Sequence, residues 1–129
     1  MAVSNSVLSW TLQMNAGSLQ QYNFTLTVPG PFATTPWPLS GVTWEYVART
    51  SATAGGSPLI EITTSASAAG LLTVTSTASL SQVLLAMYPA ATASLAPGTY
   101  YHALWADPAT PSALAVFSGL LQVEGTPQP

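Results

Sequence analysis

The sequence predicts an all-β fold, a sandwich or barrel of about seven to nine short strands with little helix. Apolar and polar residues alternate along most of the chain, which is typical of half-buried strands. Gly and Pro residues divide these segments at intervals of about 8–12 residues, as turns do in all-β domains. The length of 129 residues fits a single domain with its own core, and no boundary is visible within residues 1–129.

The first two strands are predicted at residues 8–14 and 22–28, where polar and apolar residues alternate strictly. Gly17 lies between them in a short polar segment, which favours a hairpin turn. The prolines of residues 29–38 then indicate a loop, because proline cannot donate a hydrogen bond to a sheet. A third strand is predicted after Gly41.

The remaining strands are spread over the rest of the chain, at residues 59–64, 71–75, 80–88, 99–106 and 115–123. Residues 80–88 are also compatible with a helix, since short apolar runs fit either structure. Residues 89–95 are expected to form one helical turn. Residues 1–6 and 125–129 are expected to be flexible arms that reach adjacent subunits.

Charged side chains are scarce. The chain has one basic and four acidic residues, or 4% charged residues, against roughly 25% in an average soluble domain. Arg49 is the only Lys or Arg, which argues against binding to nucleic acid or to an anionic membrane surface. Soluble monomers depend on charge to stay dispersed, so we expect neighbouring subunits to cover this surface. A robust solitary domain from a GC-rich genome would have a similar composition.

No cysteine is present, which excludes disulfides and thiolate metal sites. The N-terminal residues lack the basic start and apolar core of a signal peptide, so we expect synthesis in a cytoplasm without export. The most apolar run, residues 83–91, is much shorter than the roughly 20 residues of a membrane-spanning helix.

Few residues are suited to catalysis. His102 is the only histidine, and its alternation with Tyr100 and Leu104 favours a buried strand residue over a metal ligand or acid–base group. Asp107 lies five positions away, which points the two side chains to opposite faces, and no Gly-x-Ser-x-Gly motif occurs. Nothing in the sequence brings two of the four carboxylates together. We therefore predict no catalytic residue, no cofactor, no metal and no enzymatic activity.

The four tryptophans suggest where the chain binds a partner. Trp10 and Trp44 alternate with other apolar residues and are predicted to be in the core. Trp37 lies in the proline-bounded loop, and Trp105 shares a strand face with Tyr101, opposite the histidine. We predict a protein interface that contains Trp37, Trp105 and Tyr101. Stacking of Trp37 or Trp105 on sugar rings is the alternative.

Three segments carry a family resemblance: LSGVTWEYVAR at residues 39–49, LAPGTYYHAL at 95–104 and FSGLLQV at 117–123. They resemble the opening, central and closing strands of small Ig-like domains in tailed-phage structural proteins, including the N-terminal domain of baseplate upper proteins. The resemblance implies a single antiparallel Ig-like β-sandwich without catalytic residues. His102 and Ala103 depart from it, since the family prefers Tyr and Asp at these positions.

This resemblance implies a structural protein of the phage virion. We expect a capsid decoration (cement) protein that binds the assembled shell in many copies through apolar and backbone contacts. A baseplate, tail or fibre-attachment module and a carbohydrate-binding module are the alternatives. The expected partners are the major capsid protein or tail and baseplate proteins, and the chain itself as a homo-oligomer.

Overall fold

The computed structural model describes residues 8–9, 11–25, 41–51, 57–76, 81–108, 110–111 and 113–125. Within these ranges the chain forms nine strands and one short helix, which confirms the all-β prediction. No helix in the described ranges is long and apolar enough to cross a membrane. The elements are β1 (Leu8–Ser9), β2 (Leu12–Asn15), β3 (Gln20–Thr25), β4 (Trp44–Arg49), β5 (Ile60–Thr63), β6 (Gly70–Ser76), β7 (Ser81–Met87), α1 (Pro89–Ala93), β8 (Gly98–Ala106) and β9 (Leu114–Glu124).

The strands form two sheets. The six-stranded sheet has the order β1–β9–β8–β4–β5, and β2 also pairs with β9. The three-stranded sheet has the order β3–β7–β6. All pairs within β4, β5, β8 and β9, and all pairs of the three-stranded sheet, are antiparallel.

The predicted hairpin around Gly17 is wrong. Leu12 of β2 is the partner of Leu121 in the six-stranded sheet, whereas Tyr22 of β3 is the partner of Leu85 in the other sheet. The turn, in which Gly17 has a φ of 81°, therefore carries the chain from one sheet to the other. Alternation identifies the inner side of each strand: Leu12 of β2 is buried, and Tyr22 of β3 packs against the same core. It does not identify which strands pair.

The fully antiparallel sheet is also a prediction that the structure corrects. β1 and β2 both run parallel to β9, with Leu8 beside Phe117 and Met14 beside Val123. A parallel partner is possible here because β9 comes from the far end of the sequence, so no tight turn has to join the two strands.

The ambiguous segment at residues 80–88 is a strand. β7 lies in the centre of the three-stranded sheet, and its Val83, Leu85 and Met87 are buried. The predicted helical turn follows as α1, with Pro89 at its first position. The buried Thr92 hydroxyl accepts a hydrogen bond from the Gly17 N–H at 3.0 Å, which joins α1 to the β2–β3 turn.

Both sheets contribute to one core. Trp44 belongs to this cluster, as its alternation predicts, whereas Trp10 lies outside the described residues. Removing each large apolar side chain from water contributes about 1.5–3 kcal/mol. The largest core members are Leu12, Met14, Trp44, Tyr46, Ile60, Ile62, Leu72, Val83, Leu85, Met87, Leu104, Phe117 and Leu121.

Candidate interaction surface

The outer face, as the term is used below, is the part of the outward-facing side of the six-stranded sheet that is centred on β4 and β8. It includes Glu61 of β5 and Leu120 of β9. On β4, Tyr46 and Ala48 are buried in the core. Because side chains alternate along a strand, Glu45, Val47 and Arg49 lie on the outer face. Val47 is only 7% exposed there, so its neighbours on this side already cover most of it.

The same alternation places two of the predicted interface residues on the outer face. On β8, His102 and Leu104 are buried, and Tyr101, Ala103 and Trp105 lie on the opposite side. Tyr101 is 38% exposed and Trp105 is partly buried. The structure therefore places Tyr101 and Trp105 together. The third predicted interface residue, Trp37, and most of the two predicted arms lie outside the described residues.

The register between β4 and β8 sets the arrangement of this surface. Residues directly opposite each other on antiparallel strands have Cβ atoms about 4.5–5.5 Å apart. At one end of the face a glutamate lies opposite a tryptophan, and at the other end an arginine lies opposite a tyrosine. In the middle, two small apolar residues lie opposite each other. The pairs are Glu45 with Trp105, Val47 with Ala103, and Arg49 with Tyr101.

Two hollows lie on the outer face. The first has a volume of about 400 Å³, and its walls include Arg49, Tyr101, Trp105 and Leu120 of β9. The second has a volume of about 350 Å³ and is bounded by Arg49, Trp105 and Pro108. Arg49 and Trp105 contribute to both hollows, so a partner that filled either hollow would contact these two side chains.

The acidic end of the outer face contains a pair of carboxyl groups. Glu45 and Glu61 lie close enough that, when one carboxyl group is protonated, it can donate a hydrogen bond to the other. Partial burial, this hydrogen bond and the charge of Glu61 raise the pKa of Glu45, and the charge of Arg49 opposes the increase. Glu45 therefore holds its proton to a higher pH than an isolated glutamate would.

Sequence reasoning missed this pair. Glu45 and Glu61 lie on β4 and β5, and the register that places Val47 beside Glu61 makes the two acids diagonal neighbours. That register depends on which strands pair, which the local pattern of neither strand contains. Val47 was also missed, because its burial on the outer face depends on the side chains around it.

His102 is a core residue, as its alternation predicts. It is 3% exposed, and its Nδ1 lies 3.0 Å from the Tyr46 hydroxyl oxygen. Its ring contacts that of Phe117 edge-on at a centroid distance of 5.1 Å. Burial raises the pKa of Tyr46 well above its ordinary value, so this phenol stays protonated.

The structure gives Asp107 a structural role. Asp107 has a φ of 49°, and its carboxylate accepts a hydrogen bond from the Thr43 N–H at 2.9 Å. The Asp107 N–H donates to the Thr43 carbonyl at 2.7 Å, so this residue fixes the end of β8 against the start of β4. Within the described part of the chain, no three His, Asp or Glu side chains are grouped so that they could hold a metal ion.

No protein-family model matches the chain, and no curated protein is similar to it in sequence. The resemblance to tailed-phage domains therefore stays a prediction that depends on the three segments quoted above. Two of these segments include residues of the outer face, among them Arg49 of β4 and Tyr101 of β8.

Proposed function

We propose that this protein is an Ig-like β-sandwich that serves as a structural component of a phage particle, as a capsid decoration (cement) protein. The observation that carries the proposal is the outer face, where Trp105, Tyr101 and Arg49 surround open hollows on a chain with only 4% charged residues. Aromatic residues and Arg are the side chains most enriched at the energetic centres of protein interfaces.

The order of the strands supports the Ig-like assignment. In an Ig domain, the third, sixth and seventh strands share one sheet, and the second, fifth and fourth lie together in the other. If β1 and β2 are counted as two parts of the first strand, and β5 as an additional strand at the edge beside β4, then β4, β8 and β9 correspond to the first group. The three-stranded sheet, β3–β7–β6, corresponds to the second group.

A side-chain contact at the start of β8 supports the same assignment. The Tyr100 hydroxyl donates a hydrogen bond to the Ala96 carbonyl at 2.7 Å. Ig-like domains often have a tyrosine at the start of the sixth strand whose hydroxyl bonds to the backbone a few residues upstream. The tyrosine there fastens the connection that enters the strand, and Tyr100 is placed to do the same for residues 96–99.

The scarcity of charged residues on the surface supports the decoration role. A charge-poor surface gives little protection against association, and unprotected strand edges are templates for pairing with other chains. β5 is an edge strand of the six-stranded sheet and β6 is an edge strand of the three-stranded sheet. Glu61 is the only charged residue on either strand. A repetitive shell offers neighbours at every site and so turns this tendency to associate into ordered assembly.

The test is the copy number of the protein in purified particles of the phage that encodes it. Mass spectrometry with labelled standards would measure its ratio to the major capsid protein, and immunogold labelling would locate it. We expect many copies distributed over the head. A few copies confined to the tail would favour the baseplate or fibre-attachment alternative instead. Absence from washed particles would refute a virion role.

Rebinding to particles that lack the protein would test the outer face. The Trp105→Ser variant is expected to lose binding, whereas Leu19→Ser, which changes a leucine that is 50% exposed away from the outer face, is expected to bind as the wild type does. Equal binding by the two variants would place the contact with the shell elsewhere on the molecule.

A carbohydrate-binding surface is the second candidate. Tyr101 and Trp105 line one open hollow, where a sugar ring could stack on an aromatic side chain while its hydroxyls bond to Arg49. A glycan array would test this, with loss of binding expected for Trp105→Ala and none for Leu59→Ser. Failure of the wild-type protein to bind any glycan would reject this candidate without affecting the virion proposal.

A further inference from the structure

The charges on the outer face are separated along β4. Arg49 lies at one end of the strand and Glu45 at the other, with Val47 between them. At about 3.3 Å per residue, the two charged positions are roughly 13 Å apart. Glu61 of β5, a diagonal neighbour of Glu45, adds to the negative end. The outer face thus has a positive end, an uncharged middle and a negative end.

A face of this kind is complementary to a second copy of itself. A twofold axis that lies between two facing sheets, across their strands, reverses the direction of β4. Arg49 of each copy then lies over Glu45 of the other, so the same ion pair forms twice. On β8, the same rotation places Tyr101 of each copy over Trp105 of the other.

We propose that the outer face is the interface of a twofold homodimer, in which Arg49 of each subunit pairs with Glu45 and Glu61 of its partner. The small residues Val47 and Ala103 lie at the centre, where they allow two sheets to approach to the usual distance of about 10 Å. Tyr101 and Trp105 lie beside the hollows, which gives the aromatic rings of a facing copy space to enter.

The composition of the chain limits the ways in which two copies can pair through charges. Arg49 is the only Lys or Arg in the sequence, so every ion pair of this type between two copies has to use it. The two charged residues outside the outer face, Asp107 and Glu124, are both acidic. An Arg or Lys that could direct the two copies into another orientation is therefore absent from the rest of the sequence. The guanidinium has five N–H donors and can bind a partner's carboxylate in addition to its contacts within the chain.

The dimer is a property of the isolated chain, and it uses the same outer face that the virion proposal assigns to the shell, so one subunit makes only one of the two contacts at a time. The two proposals can still fail separately, since one is tested on the purified protein and the other on particles. A dimer formed through the outer faces leaves both three-stranded sheets and their edges on the outside.

Charge exchange between two variants is the decisive experiment. Arg49→Glu makes both ends of the outer face negative, and the double variant Glu45→Lys/Glu61→Lys makes both ends positive. Each variant alone places like charges together at both ion-pair positions. Like charges at an interface cost several kcal/mol, so the dimer dissociation constant should rise by at least about a hundredfold. In a 1:1 mixture, opposite charges meet again at both positions, and a heterodimer should form.

Sedimentation equilibrium would give the dissociation constants, and native mass spectrometry would distinguish the heterodimer from either homodimer by mass. Glu124→Lys is the matched control, because it reverses a charge outside the hollows and should leave the wild-type dimer intact. Circular dichroism melting would establish that each variant is folded. Arg49→Ser, which removes the charge without reversing it, replaces Arg49→Glu if that variant fails to fold, and should weaken the dimer by at least about tenfold.

The proposal is supported if the wild type is a dimer, both charge variants are monomers and their mixture forms heterodimers. A wild type that stays monomeric at every concentration would overturn it, even if the outer face then proved to bind a shell protein or a glycan. Variants that dimerise as strongly as the wild type would also overturn it, as would two folded monomeric variants that do not combine.

Discussion

The outer sides of the two sheets carry different residues. At the outward positions described on the three-stranded sheet, uncharged polar residues such as Asn23 and Thr73 surround two leucines, Leu71 and Leu84. The outer face of the six-stranded sheet instead carries two large aromatic residues and three of the chain's five charged residues. Yet the inner sides of both sheets supply the same kind of aliphatic and aromatic residues to one core.

This contrast distinguishes residues that are needed for folding from residues that are available for binding. Both sheets need an apolar inner side to fold, so the inner residues say little about function. The outward side of a sheet only has to be compatible with water, and Thr, Asn and Gln on the three-stranded sheet are sufficient for this. Solvation alone does not require the tryptophan, tyrosine and arginine on the outward side of the other sheet. Their concentration around two hollows supports the proposal that this surface binds a partner.

The largest expected effects are losses of stability from core mutations. The comparison predicts that the inner sides of the two sheets contribute equally to the free energy of unfolding. Phe117→Ala in the six-stranded sheet and Leu85→Ala in the three-stranded sheet should each lower the free energy of unfolding by about 3–5 kcal/mol, because each leaves a cavity at a fully buried site. Urea denaturation would measure both. The exposed Thr73→Ala change should cost less than about 0.5 kcal/mol.

A much smaller loss for Leu85→Ala than for Phe117→Ala would contradict this equivalence. It would mean that the three-stranded sheet tolerates cavities and contributes less to stability than the larger sheet does.

On the outward sides, the comparison predicts unequal effects. Trp105→Ser should raise the dimer dissociation constant by an amount equivalent to about 2 kcal/mol, since tryptophan side chains that pack into a partner's hollow are typical hot spots. Leu84→Ser is the matched change at the centre of the three-stranded sheet, and it should leave the constant unchanged within about threefold. Sedimentation equilibrium measures both constants. If Leu84→Ser weakens association as much as Trp105→Ser does, the outer face is not the interface.

Some of this arrangement could be predicted from the sequence. The alternation of Tyr101 and Trp105 with His102 identified their shared face, and the alternation of Trp44 with Tyr46 identified core residues, because a strand has a fixed period of two. These inferences needed only the residues of one strand. The strand at Ser81–Met87 was recognised for the same reason, although its apolar run also fitted a helix.

The remaining features depend on which strands pair, and no local pattern contains that information. The turn at Gly17 has the composition of a hairpin, yet the chain crosses there to the other sheet. Glu45 and Glu61 lie 16 positions apart in sequence and become neighbours only through the register of β4 with β5. The parallel pairing of β2 with β9 likewise joins opposite ends of the sequence.

A polar contact distinguishes the inner side of the six-stranded sheet. Tyr46→Phe removes the hydroxyl that lies 3.0 Å from His102 Nδ1 and should lower the free energy of unfolding by about 1–2 kcal/mol, because a buried ring nitrogen loses a hydrogen-bond partner. Tyr22→Phe is the matched change, since its hydroxyl donates to Gln20 at a less buried site and should cost less. Equal losses in urea denaturation would show that burial does not strengthen the Tyr46 contact.

The smallest expected effect tests the carboxyl pair on the outer face. The pKa of Glu45 is raised in the folded chain, so the folded state binds more protons than the unfolded state as the pH rises from about 4.5 through that raised pKa. The free energy of unfolding therefore falls over this interval. Glu61→Gln removes the neighbouring negative charge, and it should be more stable than the wild type at pH 7 by less than about 0.5 kcal/mol, because the pair is accessible to water.

The difference between the two proteins should disappear at a pH low enough to protonate Glu45, because the uncharged carboxyl group is no longer repelled by the charge of Glu61. Urea denaturation across this pH range, at a concentration low enough to keep the chain monomeric, would measure it. Glu124→Gln removes an acid on β9, outside the pair, and should show no such pH-dependent gain. A Glu61→Gln variant whose stability follows the wild type at every pH would show that the two carboxyl groups do not interact in solution. The negative end of the outer face would then consist of two independent charges.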